Sequence, residues 1–182
     1  DYLESLLKLR KPIIHYQHNG LDFKQIKMIE SKANKRFKLI CISKDQLSGF
    51  KTKFRTKIIH NFVDTSFYPF SKAGDGYIAF LGRLTKNKGV DNAIKVAKLS
   101  KKPLKIAGTI GTEINDRKFF EKEIKPNIDN HLIKFVGKVN DSQKKKFLGG
   151  ADALISPGLW KEPCAVTVSE SLSCGTPIIS YD

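Results

Sequence analysis

Along the chain, short β-branched apolar runs alternate with stretches whose apolar residues recur at helical spacing. PIIHYQ is followed by FKQIKMIESKANK and KLICIS by KDQLSGF, and KIIHN closes this first series. A second series pairs YIAFLG with VDNAIKVAKLSKK, LKIAG with DRKFFEKEI, LIKFVG with DSQKKKFLGG and ALISP with AVTVSESLS, and it ends on PIISYD. Strand runs that are apolar throughout, each separated from the next by a helix, belong in a parallel sheet covered on both faces. The pattern therefore predicts an α/β fold built on a doubly wound, Rossmann-like parallel sheet. In such sheets ligands bind beyond the carboxyl ends of the strands, so the loops after YIAFLG, LKIAG, LIKFVG and ALISP are expected along one rim.

The alternation breaks at NFVDTSFYPFSKAGDG, residues 61–76, where aromatics, a proline and two glycines follow neither a helical nor a strand period. This stretch is expected to be an interdomain linker. It divides the chain into residues 1–60, with only two or three βα units, and residues 77–182, with four βα units and a final strand. Neither part carries enough strands and helices for a closed sheet, so the architecture is expected to be incomplete.

Composition narrows the picture. With 182 residues, 40% of them apolar, the chain can bury a sizeable core. No apolar run approaches the roughly 18 residues that cross a bilayer, and the acidic residues of DYLESLLKLRKP do not suit a signal peptide. A cytoplasmic protein is expected. Cys41, Cys164 and Cys174 form no C-x-x-C pair and have no histidine at zinc-ligand spacing, so they read as reduced, mostly buried small residues.

The formal charge of +15 raises the question of nucleic acid. Only five of the 33 basic residues are arginine, however, whereas base readout and bidentate phosphate contacts favour the guanidinium fork. No nucleic-acid partner is expected. The lysines of KKK, 144–146, fall between helical apolar positions and read as a solvated helix face. The alternative target of such excess charge is an anionic membrane surface, contacted peripherally, or a polyanionic acceptor.

Two segments carry candidate chemistry. In GRLTKNKGV, residues 82–90, Gly82 lets the backbone turn sharply at a strand end, Arg83 offers a planar donor fork, and Lys88 stands beside Gly89 where a helix begins. Two cations at a helix N-terminus form an anion site. Taken alone, the segment reads equally well as a basic loop with Lys88 in solvent. In KEPCAVTVSESLSCGTPIISYD, Pro163 falls just ahead of the first turn of a helix over AVTVSESLS, and the N–H groups of Cys164, Ala165, Val166 and Thr167 point ahead of it. Glu162 precedes this helix and Glu170 lies two turns inside it. Carboxylates accept hydrogen bonds from paired hydroxyls, so these two could hold two diols; alone, Glu162 reads as a helix-dipole partner and Glu170 as a solvent-facing residue.

Together and in order, GRLTKNKG, FVGKVND and E-P-x6-E followed by SLSCGTPII resemble the retaining nucleotide-sugar glycosyltransferases of the GT-B fold, specifically glycosyltransferase family 4. KIIHNFVDTSFYPF resembles that family's interdomain linker, written around N-G-V-D…F-x-P. The resemblance covers residues 37–182, with PIIHYQHNG more loosely similar to a late strand of the acceptor-side domain. It implies residues 1–60 as the end of an N-terminal acceptor domain and 77–182 as a truncated donor-binding domain. Such a piece is expected to bind donor weakly and to lack transfer activity.

The resemblance further implies that Arg83 and Lys88 neutralise the donor diphosphate, with no metal ion and no cofactor, since the sequence has no D-x-D. Glu162 would take hydroxyls of the donor sugar and Glu170 the ribose diol, with Gly82 and residues 164–167 lining the donor site. The backbone of Gly137, Lys138 and Val139 would meet the nucleobase, and His18 the sugar or acceptor side, where a structural strand-end histidine fits equally well. The implied partners are a UDP- or GDP-linked sugar and a glycan or lipid-linked acceptor, at the inner face of the membrane if the charge serves a surface. Two departures stand out: Phe62 replaces the linker glycine, and Cys164-Ala165 occupies a Phe-Gly or Gly-Phe-Gly position. The rival readings are a GT-B epimerase or phosphorylase, or a non-enzymatic basic domain.

Overall fold

The computed structural model describes residues 2–9, 11–32, 35–47, 55–72, 74–160 and 162–181. The chain divides into two compact units, residues 1–62 with 161–165, and residues 63–160 with 166–182.

The first unit holds a parallel three-stranded sheet in the order β1 (Ile13–Gln17), β2 (Phe37–Cys41), β3 (Arg55–Ile58). Helix α1 (Tyr2–Leu7), which the apolar pattern does not announce, precedes it, and α2 (Phe23–Lys32) joins the first two strands. A reciprocal cap starts α2: Asp22 Oδ1 accepts from the Gln25 N–H at 2.7 Å, and Gln25 Oε1 accepts from the Asp22 N–H at 3.2 Å. Ile26 and Ile29 then bury against Phe37, Leu39 and Cys41, as residues three apart on one helix face should. KDQLSGF gives only a one-turn 3₁₀ helix at Lys44–Leu47 among its described residues.

The second unit is a five-stranded parallel sheet in the order β6-β5-β4-β7-β8: β4 (Ile78–Leu81) at the centre, β5 (Leu104–Ala107) and β6 (Ile133–Gly137) on one side, β7 (Ala153–Ser156) and β8 (Ile178–Ser180) on the other. This is the doubly wound topology expected from the alternation. Side chains of successive strand residues enter two different cores. Ile78, Phe80, Leu104, Ile106 and Ile133 pack with Val90, Ala93, Ile94 and Ala97 of α3 (Val90–Ser100) and with Phe120 and Ile124. On the other face, Ala79, Ala107 and Leu154 pack with Phe147 and Leu148 of α5 (Asp141–Gly149), with Cys174, and with Tyr68 and Tyr77. Tyr68 is 6% exposed, and the Ser71 N–H donates to the Cys174 carbonyl at 2.9 Å. Residues from 63 onward, an aperiodic stretch in the sequence, are thus packed into this unit.

Three helices deviate from the periodic pattern. DRKFFEKEI begins as α4 (Ile114–Phe119), widens to a π-helical turn at Phe120–Ile124 and tightens to a 3₁₀ turn at Lys125–Asn127. The helix expected over AVTVSESLS is α6 (Val166–Ser173), so Cys164 and Ala165 lie ahead of it rather than in its first turn. Helix α5 starts at a capping box, Asn140 accepting from the Gln143 N–H and Gln143 returning the bond, both at 2.9 Å. Its lysines do not all lie on a solvated face: Lys144 turns inward, with a side chain 21% exposed.

Candidate functional site

All pairings in the five-stranded sheet are parallel, so the carboxyl ends of β4, β5, β6 and β7 share one rim. The loops there are laced together through backbone atoms. The Gly82 N–H donates to the Ala107 carbonyl at 3.1 Å, the Gly108 N–H to the Gly137 carbonyl at 2.9 Å, and the Leu84 N–H to the Thr109 carbonyl at 2.9 Å. Two glycines make this approach possible. At Gly108, φ 146°, a Cβ would lie 1.7 Å from the Gly82 carbonyl oxygen; at Gly89, φ 72°, one would lie 2.2 Å from that of Pro157.

Within this frame, residues 82–89 form a short, fixed bridge from strand to helix. A 3₁₀ turn at Lys86–Lys88 is followed by Gly89, in the left-handed region, as the residue that starts α3. Thr85, buried, donates from Oγ1 to Asn87 Oδ1 at 2.5 Å, and its carbonyl accepts from the Lys88 N–H at 3.1 Å. Arg83 is exposed and Lys88 half-buried, its ammonium 4.8 Å from the centre of the Trp160 ring. The two cations therefore stand on one ordered loop beside a helix start, the arrangement that attracts a phosphate.

Gly137 owes its position to a β-bulge. Ile106 is opposite Phe135 but Ala107 is opposite Gly137, so Val136 is an extra residue that bends the strand end. Gly137 follows at φ 77°, and the chain turns through Lys138, exposed, and Val139, half-buried, into the α5 cap.

Glu170 is the most constrained of the candidate residues. It is 6% exposed, and its Oε1 accepts from the Tyr68 hydroxyl at 2.6 Å and from the Lys144 ammonium at 2.5 Å. Asp141 lies 3.5 Å from the same ammonium. A buried carboxylate needs such a partner, because desolvation otherwise favours the neutral form. Burial alone would lower the Lys144 pKa; the hydrogen bonds to Glu170 and Tyr68, with the Glu170 charge, outweigh it, and the net displacement is upward. The Tyr68 phenol is also pushed up, by burial and by its bond to Glu170. Glu170 thus does not face solvent, and neither Tyr68 nor Lys144 carries a sequence signal of its own. What could have found Lys144 is its place on the same helical stripe as Phe147 and Leu148, three and four residues on.

The candidates divide between the units. Gly82, Arg83, Lys88, Gly137, Lys138, Val139, Val166, Thr167 and Glu170 all belong to the second, while His18, Glu162, Cys164 and Ala165 belong to the first. Glu162 is exposed, and residues 164–167 are half-buried. His18 follows β1, exposed, with its ring 4.7 Å from that of Tyr16. Gln46, which sequence reasoning passed over, fixes this turn: 4% exposed, it donates to the carbonyls of Gln17 at 3.0 Å and Asn19 at 2.7 Å. Among the described residues no group of three or more His, Cys, Asp and Glu side chains is placed to hold a metal ion, and no helix is long and apolar enough to cross a membrane.

A parallel doubly wound sheet with a cationic strand-to-helix loop at its carboxyl rim, and a buried, charge-paired carboxylate in the helix after β7, is an α/β fold of the GT-B type. The chain belongs to the family described as glycosyl transferases group 1, whose model matches residues 65–182. It is 29% identical over 107 residues to an uncharacterized glycosyltransferase of Methanocaldococcus jannaschii, covering 56% of this chain and 26% of that protein. The fold is similar to that of Anabaena HepE crystallised with UDP-glucose, with TM-score 0.76 and 18% identity over 94% of this chain and 53% of the other. It is also similar to sucrose-phosphate synthase of Thermosynechococcus elongatus, with TM-score 0.77 and 16% identity over 97% and 52% of the two chains. The chain spans about half the length of these two solved proteins.

Proposed function

We propose that this chain forms the donor-binding part of a retaining, metal-independent glycosyltransferase of family 4, acting on a UDP- or GDP-linked sugar. The observation that carries the reading is that one compact unit presents Arg83 and Lys88 on a fixed loop at a helix start and, in the helix after β7, a charge-compensated carboxylate at Glu170. A nucleoside diphosphate needs both kinds of group: cations for the diphosphate and a paired acceptor for the ribose hydroxyls.

In the proposed mechanism Arg83, Lys88 and the α3 N-terminus bind the diphosphate, and the backbone of Gly137–Val139 meets the base. As the bond between the anomeric carbon and the diphosphate oxygen breaks, negative charge grows on the leaving phosphate. Cations already in place stabilise it without reorganisation, which is how such a site lowers a barrier. Glu162 takes hydroxyls of the sugar, His18 serves the sugar or acceptor side, and no side-chain nucleophile is invoked. The acceptor is a glycan or a lipid-linked acceptor, and the excess lysine would draw the protein to an anionic membrane face if the acceptor lies there. The HepE complex with UDP-glucose makes that sugar nucleotide the first donor to try.

The test is titration calorimetry of the chain with UDP-, GDP- and ADP-glucose, repeated on two glutamate variants. Glu162→Gln is expected to reduce discrimination among sugars while sparing free nucleotide, and Glu170→Gln to weaken the free nucleotide as well. Binding of none of the three donors overturns the reading; effects of both variants on the sugar alone overturn the ribose role of Glu170.

A further inference from the structure

Two features of the Glu170 environment are left unused by donor binding as described so far. Both protein donors, the Tyr68 hydroxyl at 2.6 Å and the Lys144 ammonium at 2.5 Å, address the same oxygen, Oε1. No described residue donates to Oε2, and that atom is not among the sealed, unpartnered polar atoms of the described residues. One carboxylate oxygen is therefore occupied, while the other, on a side chain 8% exposed, has no protein donor among the described residues and is not fully sealed. The donors come from two different elements: Tyr68 from the segment ahead of β4, Lys144 from the second turn of α5. Each is itself held. Tyr68 packs edge-on against Phe67, their ring centres 5.3 Å apart, Lys145 lies 4.7 Å from the centre of the Phe67 ring, and Lys144 is 3.5 Å from Asp141. A two-point clamp on one oxygen fixes the rotation of the carboxyl group and hence the direction in which the other oxygen points.

We propose that Lys144, with Tyr68, is a positioning residue that aims Oε2 of Glu170 at the ribose diol and so makes the site selective for ribonucleotides over deoxyribonucleotides. The proposal rests on the ribose role of Glu170 given above. Lys144 contributes in two ways. Its ammonium supplies a counter-charge to a carboxylate at a site only 6% exposed, and a charge-assisted acceptor bonds a hydroxyl more strongly than a neutral one. Its geometry removes the rotational freedom that would otherwise be lost when the ligand binds. 2′-Deoxy-UDP keeps the 3′-hydroxyl but loses one of the two donors that the diol offers to Oε2, and a site built around a buried acceptor discriminates against the analogue that lacks a hydroxyl it would bond.

The experiment compares UDP with 2′-deoxy-UDP by titration calorimetry on the unmodified chain and on Lys144→Met, Lys144→Arg and Tyr68→Phe. The unmodified chain is expected to prefer UDP by about tenfold or more, the usual size of a hydrogen bond to a charged group. Lys144→Met should lose most of that preference, Lys144→Arg should restore it, and Tyr68→Phe should fall between them. A general loosening of the fold would weaken both ligands by the same factor and leave their ratio unchanged, and that outcome in a folded Lys144→Met protein overturns the proposal. If Lys144→Met does not fold, Lys144→Gln, which keeps the size and a donor without the charge, is measured instead, with the same outcome decisive. An unmodified chain that binds both nucleotides equally overturns the ribose reading of Glu170 itself, and one that binds neither overturns the donor-binding reading; both results are distinct from a failure at Lys144.

Discussion

The diphosphate loop and the Glu170 pocket reach functional order by opposite means. Residues 82–89 are positioned by backbone atoms, through glycines that let neighbouring loops approach within hydrogen-bond distance, while Arg83 remains exposed. Glu170 is positioned by side chains, a tyrosine and a lysine that meet it at 102 and 26 residues' separation. A solvated cation needs no compensation, so its loop needs only shape. A buried carboxylate needs a counter-charge, so its pocket needs partners. The loop should therefore be broken by adding an atom and the pocket by removing a charge.

The largest expected effect follows from adding the atom. Gly108→Ala forces a Cβ into the Gly82 carbonyl at a φ of 146° that alanine rarely adopts, and it is expected to destabilise the fold by about 3 kcal/mol. Urea unfolding of the variant measures this; a loss under about 0.5 kcal/mol would mean that the rim loops can part freely.

Removing the charge comes next. Lys144→Met leaves Glu170 buried with only Tyr68, at an expected cost of about 2–3 kcal/mol, whereas Lys144→Met with Glu170→Gln should cost less than the single change, because no uncompensated charge remains. The pH dependence has a definite sign. The folded pKa of Lys144 is raised above its ordinary 10.5, so its contribution is complete below that value and is lost as pH rises through the higher folded value. The stability difference between the unmodified chain and Lys144→Met should therefore be flat near neutrality and shrink in the alkaline range, which denaturant melts at successive pH values would follow.

The smallest effect on stability belongs to the cations of the loop. Arg83→Ala should change stability by less than about 0.5 kcal/mol, since the side chain is exposed and its loop is held by main-chain bonds. A larger change in thermal unfolding would show that Arg83 supports the loop rather than decorating it.

The same contrast explains what could be read in the sequence. The sheet was legible because each buried parallel strand is an uninterrupted apolar run, and Arg83, Lys88 and Gly82 were legible because they cluster within one loop. Lys144 was not. It sits in a run of three lysines that has the composition of a solvated face, and only the distant Glu170 and Tyr68 turn it inward. Gln46 escaped for a related reason: its Oε1 accepts from the nearby Ile42 and Ser43 N–H groups, but the carbonyls its amide reaches, those of Gln17 and Asn19, lie 27 to 29 residues away. The late start of α6 reflects local chemistry that a propensity pattern does not weigh, with Cys164 and Ala165 ahead of the helix and no hydroxyl or acid among them to cap an earlier turn.

The central claim is that a nucleoside diphosphate is held at this rim through its phosphates by Arg83 and Lys88. Calorimetric titration of UDP and of uridine into the unmodified chain, Arg83→Ala and Lys88→Ala tests it most directly. Each variant is expected to lose about 1.5–3 kcal/mol of UDP binding, the worth of a charge-assisted hydrogen bond, with uridine binding nearly unchanged. Equal losses for UDP and uridine, or no loss for either, would contradict it.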